Sequence, residues 1–295
     1  MWTTPWHVPR ARGFTFWSSL RRGLFRLLAL FLPATALLLV TAPTADQSSS
    51  PPSRRDAGPV PQLGPASLWQ LGPLLAADGR VGAVVADTRR GVLFRQNAAE
   101  THMLASVAKI YILAAYLDTL AAADREPTED ELWLMEAMIE QSDNVSASEL
   151  WSSFGRYEGL AAFLQSRGLP APQAPSEEAA WGDMRASALD VSEVLTSLYN
   201  GRLLDDERTE LALDLLANVI DSQAWGLGTA RENAMTYLKN GWYPEEDGWV
   251  VNSVGIVDGR FGEYVVVLLT DSQPTFEAGV RIIENAVLFV RAALL

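Results

Sequence analysis

The chain is 295 residues long, 48% hydrophobic, and carries a formal net charge of −13. That length supports one large domain or two interleaved ones, and the acidic balance argues against a phosphate-binding surface, so no nucleic-acid partner is expected. There is no cysteine, and His7 and His102 are the only histidines, which excludes a disulfide framework, a thiolate nucleophile and a Cys- or His-rich metal site; neither metal nor cofactor is expected.

Residues 1–45 hold five arginines (10, 12, 21, 22 and 26) and no acid, followed by an apolar run over 27–40 and a small-residue end. This is the order of a signal peptide or membrane anchor, so the body is expected outside the cell, with membrane contact only through this segment. Ser19-Leu20-Arg21-Arg22 carries the paired arginines of a twin-arginine export signal. Residues 46–63 are Ser/Pro-rich without periodicity and read as a disordered linker. Residues 64–295 form the expected folded domain.

Within it, 66–78 reads as a helix, and 81–87 with 91–96 as a β-hairpin around Thr88-Arg89-Arg90-Gly91. Residues 106–120 are helical and apolar nearly all round, hence buried. The middle carries helical patterns at 129–141, 146–154, 157–167, 189–200 and 207–219, with no convincing strand. They are interrupted by a Pro-containing loop over 168–182. Strands return at 234–242, 249–257 and 261–270, with Asp258-Gly259 as a hairpin turn. A closing helix starts at Thr275. The order predicts an α+β fold. An antiparallel sheet of about five strands is built from both ends (64–120 and 232–295), flanked by helices, with an inserted all-α part (121–231).

The chemistry-bearing residues follow from an inventory. Of 23 basic residues, only Lys109 and Lys239 are lysine. A desolvated ammonium can lose its proton near neutral pH and a guanidinium cannot, so both lysines are candidates in a chain that otherwise uses arginine. Ser106-Val107-Ala108-Lys109 opens the buried helix, with serine and lysine one turn apart on one face. Backbone N–H groups at a helix start favour an oxyanion, and a neutral lysine can take the serine proton. The plain alternative is a serine N-cap. Ser142-Asp143-Asn144 follows a helical run and can relay a proton and hold an amide; alternatively Asp143 or Asn144 caps the next helix. Lys239-Asn240-Gly241 ends a predicted strand, where glycine permits close approach; alternatively Asn-Gly makes a turn.

With these three motifs in this order, the chain resembles the penicillin-recognising serine enzymes, class A β-lactamases above all, whose signature is S-x-x-K, S-D-N and K-T-G. The resemblance covers residues 64–295 and includes Gly182-Asp183-Met184-Arg185. It implies that Ser106 is acylated by a β-lactam or related amide or ester. Lys109 is then base or proton relay, and Ser142 bridges the lysines and protonates the leaving nitrogen. Asn144 contacts the substrate amide and Lys239 its carboxylate, with Asn240 and Gly241 beside it. The N–H groups of Ser106 and Trp242 form the oxyanion hole.

Three departures accompany the resemblance. Asn240 replaces the usual Thr or Ser. The interval from Ser106 to Ser142 is short. The loop before Gly182 lacks the Glu-x-x-Leu-Asn context of a deacylating acid: counting back reaches Gln173, and the nearby candidates are Glu177, Glu178 and Glu140. The alternatives are a D-Ala-type cell-wall peptidase or esterase without β-lactamase activity, and a catalytically silent cell-wall or partner-binding module. The expected partner is a small-molecule or peptidoglycan-like substrate. A Ser-His-Asp triad through His102 competes with Lys109; a packed or exposed loop histidine is the expectation.

Overall fold

A computed structural model describes residues 64–294 except 77, 78, 233 and 260. The export segment and linker read from the sequence lie outside the described residues. The body opens with a 3-10 segment, Pro65–Gln70, and a short helix α1, Leu71–Leu74, rather than one helix over 66–78. Strands β1 (Arg80–Asp87) and β2 (Gly91–Gln96) form the hairpin. A three-residue strand β3 (Thr101–Met103) leads through a 3-10 turn, Ala105–Val107, into helix α2 (Ala108–Ala122). Helices α3 (Glu129–Glu140), α4 (Asn144–Ser153) and α5 (Arg156–Ser166) follow. The chain then passes β4 (Arg185–Ser187), α6 (Ala188–Tyr199) and α7 (Asp206–Ala217). The meander β5 (Met235–Glu245), β6 (Gly248–Gly259) and β7 (Gly262–Asp271) closes with helix α8, Phe276–Leu294.

The main sheet is five-stranded and antiparallel, in the order β2-β1-β7-β6-β5. An N-terminal hairpin and a C-terminal meander thus share one sheet, joined where β1 pairs with β7. Val81 to Ala86 are all buried. An unbroken apolar run of this kind marks a strand covered on both faces, and α6 and α8 both pack against the sheet. Gly279 lets α8 approach closely, since a Cβ there would lie 2.6 Å from Val251. The β6–β7 turn closes at the Gly259–Gly262 pair, so it falls just beyond the expected Asp258-Gly259.

The span Ala105–Ala122, the 3-10 turn together with helix α2, is long and apolar enough to cross a membrane, yet every residue from Ala108 to Leu117 is buried inside the protein. At about 1.5–3 kcal/mol per fully buried large apolar side chain, it anchors the helices around it. Its one buried charge-bearing residue is Lys109. The two short strands β3 and β4 pair with each other in a separate sheet. They are too short for a periodic signal, so the expectation of no strand in the middle of the chain missed β4.

Candidate active site

The site is assembled where the β3–α2 turn meets the edge strand β5. Asn252, on β6, sets that meeting. Its side chain is fully buried, and its Nδ2 donates to the carbonyls of Met103 (2.8 Å) and Leu104 (3.2 Å). Its Oδ1 accepts from Thr270 N at 2.9 Å. Leu104 N donates to Met184 O, so the segment entering the turn is held from both sides. Gly241, opposite Asn252 in the β5–β6 register, does the rest. A Cβ at 241 would stand 2.7 Å from Leu104 O and 2.8 Å from Ser106 N. Only glycine lets the edge of β5 lie directly beside the Ser106 amide. Asn240-Gly241 is therefore inside a strand that runs on to Glu245, not in a turn.

Ser106 caps nothing: the helix start has no side-chain cap, and the partner of its Oγ is Lys109 Nζ at 3.1 Å. Lys109 Nζ also lies 2.6 Å from Ser142 O, 2.8 Å from Asn144 Oδ1 and 3.1 Å from Ser142 Oγ. Lys239 Nζ approaches the same Ser142 Oγ at 2.9 Å, and Asn240 O at 3.1 Å. Ser142 Oγ thus stands between the two lysines. Asp143, not Asn144, caps α4, accepting from Ser146 N at 2.7 Å. That leaves Asn144 to face Lys109.

Two residues flanking this centre hold left-handed backbone: Ala105 (φ 47) and Ser142 (φ 62). Neither is glycine, and each such conformation costs on the order of 1–3 kcal/mol. The strain falls on the residue before Ser106 and on the serine between the lysines.

Both lysines are fully buried. Desolvation penalises an ammonium and lowers its pKa. Burial brings Lys109 down from 10.5 to about 7, against a smaller upward pull from Asp143. Lys239 is pushed well below its ordinary value by burial and then by the charge of Lys109. The Trp181 indole faces Lys109, its ring centre 5.1 Å from Nζ.

Glu177 and Glu178 do not join this centre. Glu177 and Glu178 are both exposed, and Glu178 pairs with Arg156 at 2.6 Å. The loop is fixed elsewhere: Trp151 Nε1 donates to Glu178 O, and Gln173 N donates to Arg185 O. It presents an indole to Lys109, not a carboxylate. Glu177 and Glu178 are therefore not the deacylating acids expected: both side chains are exposed to solvent. Glu140 ends α3, its backbone carbonyl accepting from Ile220 N.

Asn240 also departs from expectation. It is fully buried, and its Nδ2 donates to the carbonyls of Gln223 (2.9 Å) and Trp225 (2.8 Å). Both amide hydrogens are committed, so it offers no donor to a substrate carboxylate. His102 is buried with Nδ1 at Asp271 Oδ2, 3.1 Å away, and takes no part at Ser106. Of the packed or exposed loop histidine expected, it is a packed one, on strand β3 rather than a loop. Sequence reasoning missed Asn252 and Trp181. An Asn amid the apolar β6 run was the available signal for the first; its place before Gly182-Asp183 was the signal for the second.

The sequence profile of the beta-lactamase enzyme family matches residues 132–289. The chain belongs to that family. The matched span takes in Ser142, Asn144 and Lys239 and begins beyond Ser106 and Lys109, so those two rest on geometry. Comparison with curated protein sequences finds no match. Among solved structures, a beta-lactamase from Chitinophaga pinensis is similar with a TM-score of 0.67 at 16% identity, covering 77% of this chain and 98% of that one. A beta-lactamase from Sphaerobacter thermophilus gives 0.64 at 21% identity, over 78% of this chain and 95% of that one. The protein PBP-A gives 0.65 at 17% identity, over 77% and 94%. These likenesses establish the class A beta-lactamase type of fold.

Proposed function

We propose that this chain is an exported serine hydrolase that is acylated at Ser106 by a β-lactam or a related amide or ester and releases the acyl group slowly. The observation that supports it most is Lys109 Nζ, 3.1 Å from Ser106 Oγ, buried and with a pKa near 7. Export rests on the basic and apolar order of residues 1–45.

A neutral amine has two hydrogens and one lone pair. The two shortest contacts of Lys109 Nζ, to Ser142 O and Asn144 Oδ1, take the hydrogens. The lone pair is left for the Ser106 hydroxyl. As Ser106 Oγ bonds to the substrate carbonyl carbon, its proton passes to Nζ. The new N–H has Ser142 Oγ at 3.1 Å. Ser142 then gives its own proton to the leaving nitrogen or oxygen as the carbonyl bond breaks, and takes the proton from Lys109. The N–H groups of Ser106 and of Trp242 on β5 are the proposed oxyanion donors. Asn144 keeps its Nδ2 for the substrate amide.

Deacylation needs a base for water. With no acid from the 168–182 loop in the centre, Lys109 must serve again, and the acyl-enzyme persists. This supports a penicillin-binding or narrow hydrolase role over rapid antibiotic destruction. Fluorescent penicillin or a serine-directed fluorophosphonate tests the reading: label on the wild type, lost in Ser106→Ala, is expected. No label from either probe would leave a silent binding module.

A further inference from the structure

Lys109 Nζ is enclosed, and one of the groups that enclose it takes no part in the proton path to and from Ser106. Around Nζ stand Ser106 Oγ, Ser142 O and Oγ, and Asn144 Oδ1. The Trp181 indole also faces it, with its ring centre 5.1 Å away. Lys109 is left with no exposed surface. The oxygens hold Nζ or exchange protons with it, whereas the indole closes its side with a ring.

The ring is held in place from several directions. Its Nε1 donates to Ser148 Oγ on α4 at 3.1 Å. Trp181 opens the 3-10 turn Trp181–Asp183, and the Asp183 carboxylate accepts from Ser176 Oγ at 2.7 Å. The carbonyl of Met184, just beyond the turn, accepts from Leu104 N at 2.9 Å. Gly182 lies against Ala105, whose Cα would be 3.9 Å from a Cβ at 182. The loop is thus tied to α4 and to the segment that carries Ser106, and Trp181 is itself buried.

An aromatic face over an amine has two opposed effects. Its electrons attract the ammonium, and its bulk removes the water that would solvate it. Burial is the largest influence on Lys109, so the loss of water is the stronger of the two. Water is also the second substrate. To hydrolyse the acyl-enzyme, a water oxygen must bond to the acyl carbon. One of its protons passes to Lys109 Nζ and on to Ser106 Oγ as the carbon–Oγ bond breaks. A water settles only where it finds room and polar partners, and the indole fills the space next to Nζ.

Building on the reading of Ser106 as nucleophile, we infer that Trp181 is a positioning residue that acts through Lys109. Its indole keeps water from the amine, which favours acylation and holds back hydrolysis of the acyl-enzyme.

The test uses the full chain labelled with ¹³Cε-lysine, as wild type, Trp181→Ala and Trp181→Phe. The Lys109 titration midpoint should rise by about one unit or more in Trp181→Ala, and by less than about half a unit in Trp181→Phe, which gives up the bond to Ser148 but keeps a ring. Each protein is then acylated with benzylpenicillin at a pH about one unit above its own midpoint, so that its lysine is mostly neutral. Intact mass follows the loss of the acyl group, and Trp181→Ala should shorten its half-life about tenfold or more. Should Trp181→Ala not fold, Trp181→Leu decides in its place, with both readouts moving in the same direction by a smaller amount. A Lys109 midpoint that stays or falls in the folded Ala or Leu variant overturns the inference, as does an unchanged half-life. A Phe variant that moves both readouts as far as Ala does also overturns it, since the ring would then not be what excludes water. The titration needs no substrate. If neither benzylpenicillin nor a fluorophosphonate labels the wild type, the Ser106 reading falls and takes the hydrolysis half of the inference with it, while the titration still decides whether Trp181 keeps water from Lys109.

Discussion

Two buried polar networks meet the segment that leads into α2, and they handle charge in opposite ways. At His102 on β3, Asp271 Oδ2 takes Arg80 at 3.1 Å, His102 at 3.1 Å and Arg185 at 3.4 Å. One buried carboxylate is surrounded by groups that can neutralise it. Lys109, seven residues after His102, and Lys239 are buried around one hydroxyl, and Asp143 pulls on Lys109. The first network surrounds its carboxylate with basic groups and ties β1, β3, β4 and β7 together. The second cannot keep two ammonium charges out of water, so burial drives its lysines toward the neutral form. The difference separates structure from reactivity without reference to sequence: compensated charge builds, uncompensated charge is available for proton transfer.

Breaking the reactive network should give the largest effect. Lys109→Arg keeps a cation but removes a group that can be neutral, so acylation of Ser106 should fall by about 10³-fold or more. Intact-mass kinetics measure it, with circular dichroism to confirm the fold. Asp271→Asn strikes the other network. Leaving His102, Arg80 and Arg185 without their carboxylate should cost about 3 kcal/mol of stability in denaturant unfolding, while the pH midpoint of acylation stays where it was. A midpoint that moved with Asp271 would erase the distinction between the networks.

The third effect is on the pH dependence of stability. Folded Lys109 binds its proton more weakly (about 7) than the unfolded chain does (10.5). Below pH 7 both states are protonated and the desolvation cost is present in full. As pH rises from 7 toward 10.5 the unfolded state holds the extra proton, so stability increases, by at most about 1.4 kcal/mol per pH unit from this group. Lys109→Met should flatten that rise when unfolding is followed between pH 7 and 9. The smallest effect is at Asp143, whose charge raises the Lys109 pKa. Asp143→Asn keeps an N-cap side chain for α4 and should shift the acylation midpoint to lower pH, by less than about one unit.

The fold was legible because its long elements carry strong patterns. The unbroken apolar run of β1 and the all-round apolar α2 fix a covered sheet and a central helix. The meander and closing helix follow from their own periodicity. What escaped was short or tertiary. Three residues of β4 have no period to read. The helix over 66–78 is instead a 3-10 segment and a single turn, with Pro73 inside its apolar spacing. At the site, the motifs named Ser106, Lys109, Ser142, Asn144 and Lys239, and the structure brings them within hydrogen-bonding reach of one another. Residue type alone could not show that the Asn240 amide faces Gln223 and Trp225. Nor could it show that Trp181, rather than Glu177 or Glu178, faces Lys109. Both depend on where a loop lands.

The central claim is that a buried lysine in this site is neutral near physiological pH, and the lysine inventory makes it directly measurable. Lys109 and Lys239 are the only lysines in the chain, so protein labelled with ¹³Cε-lysine gives two side-chain NMR signals, assigned by Lys109→Arg. The account predicts that the Lys109 signal titrates with a midpoint near 7 and that Lys239 titrates well below 10.5. Two signals titrating together near 10.5 would contradict it.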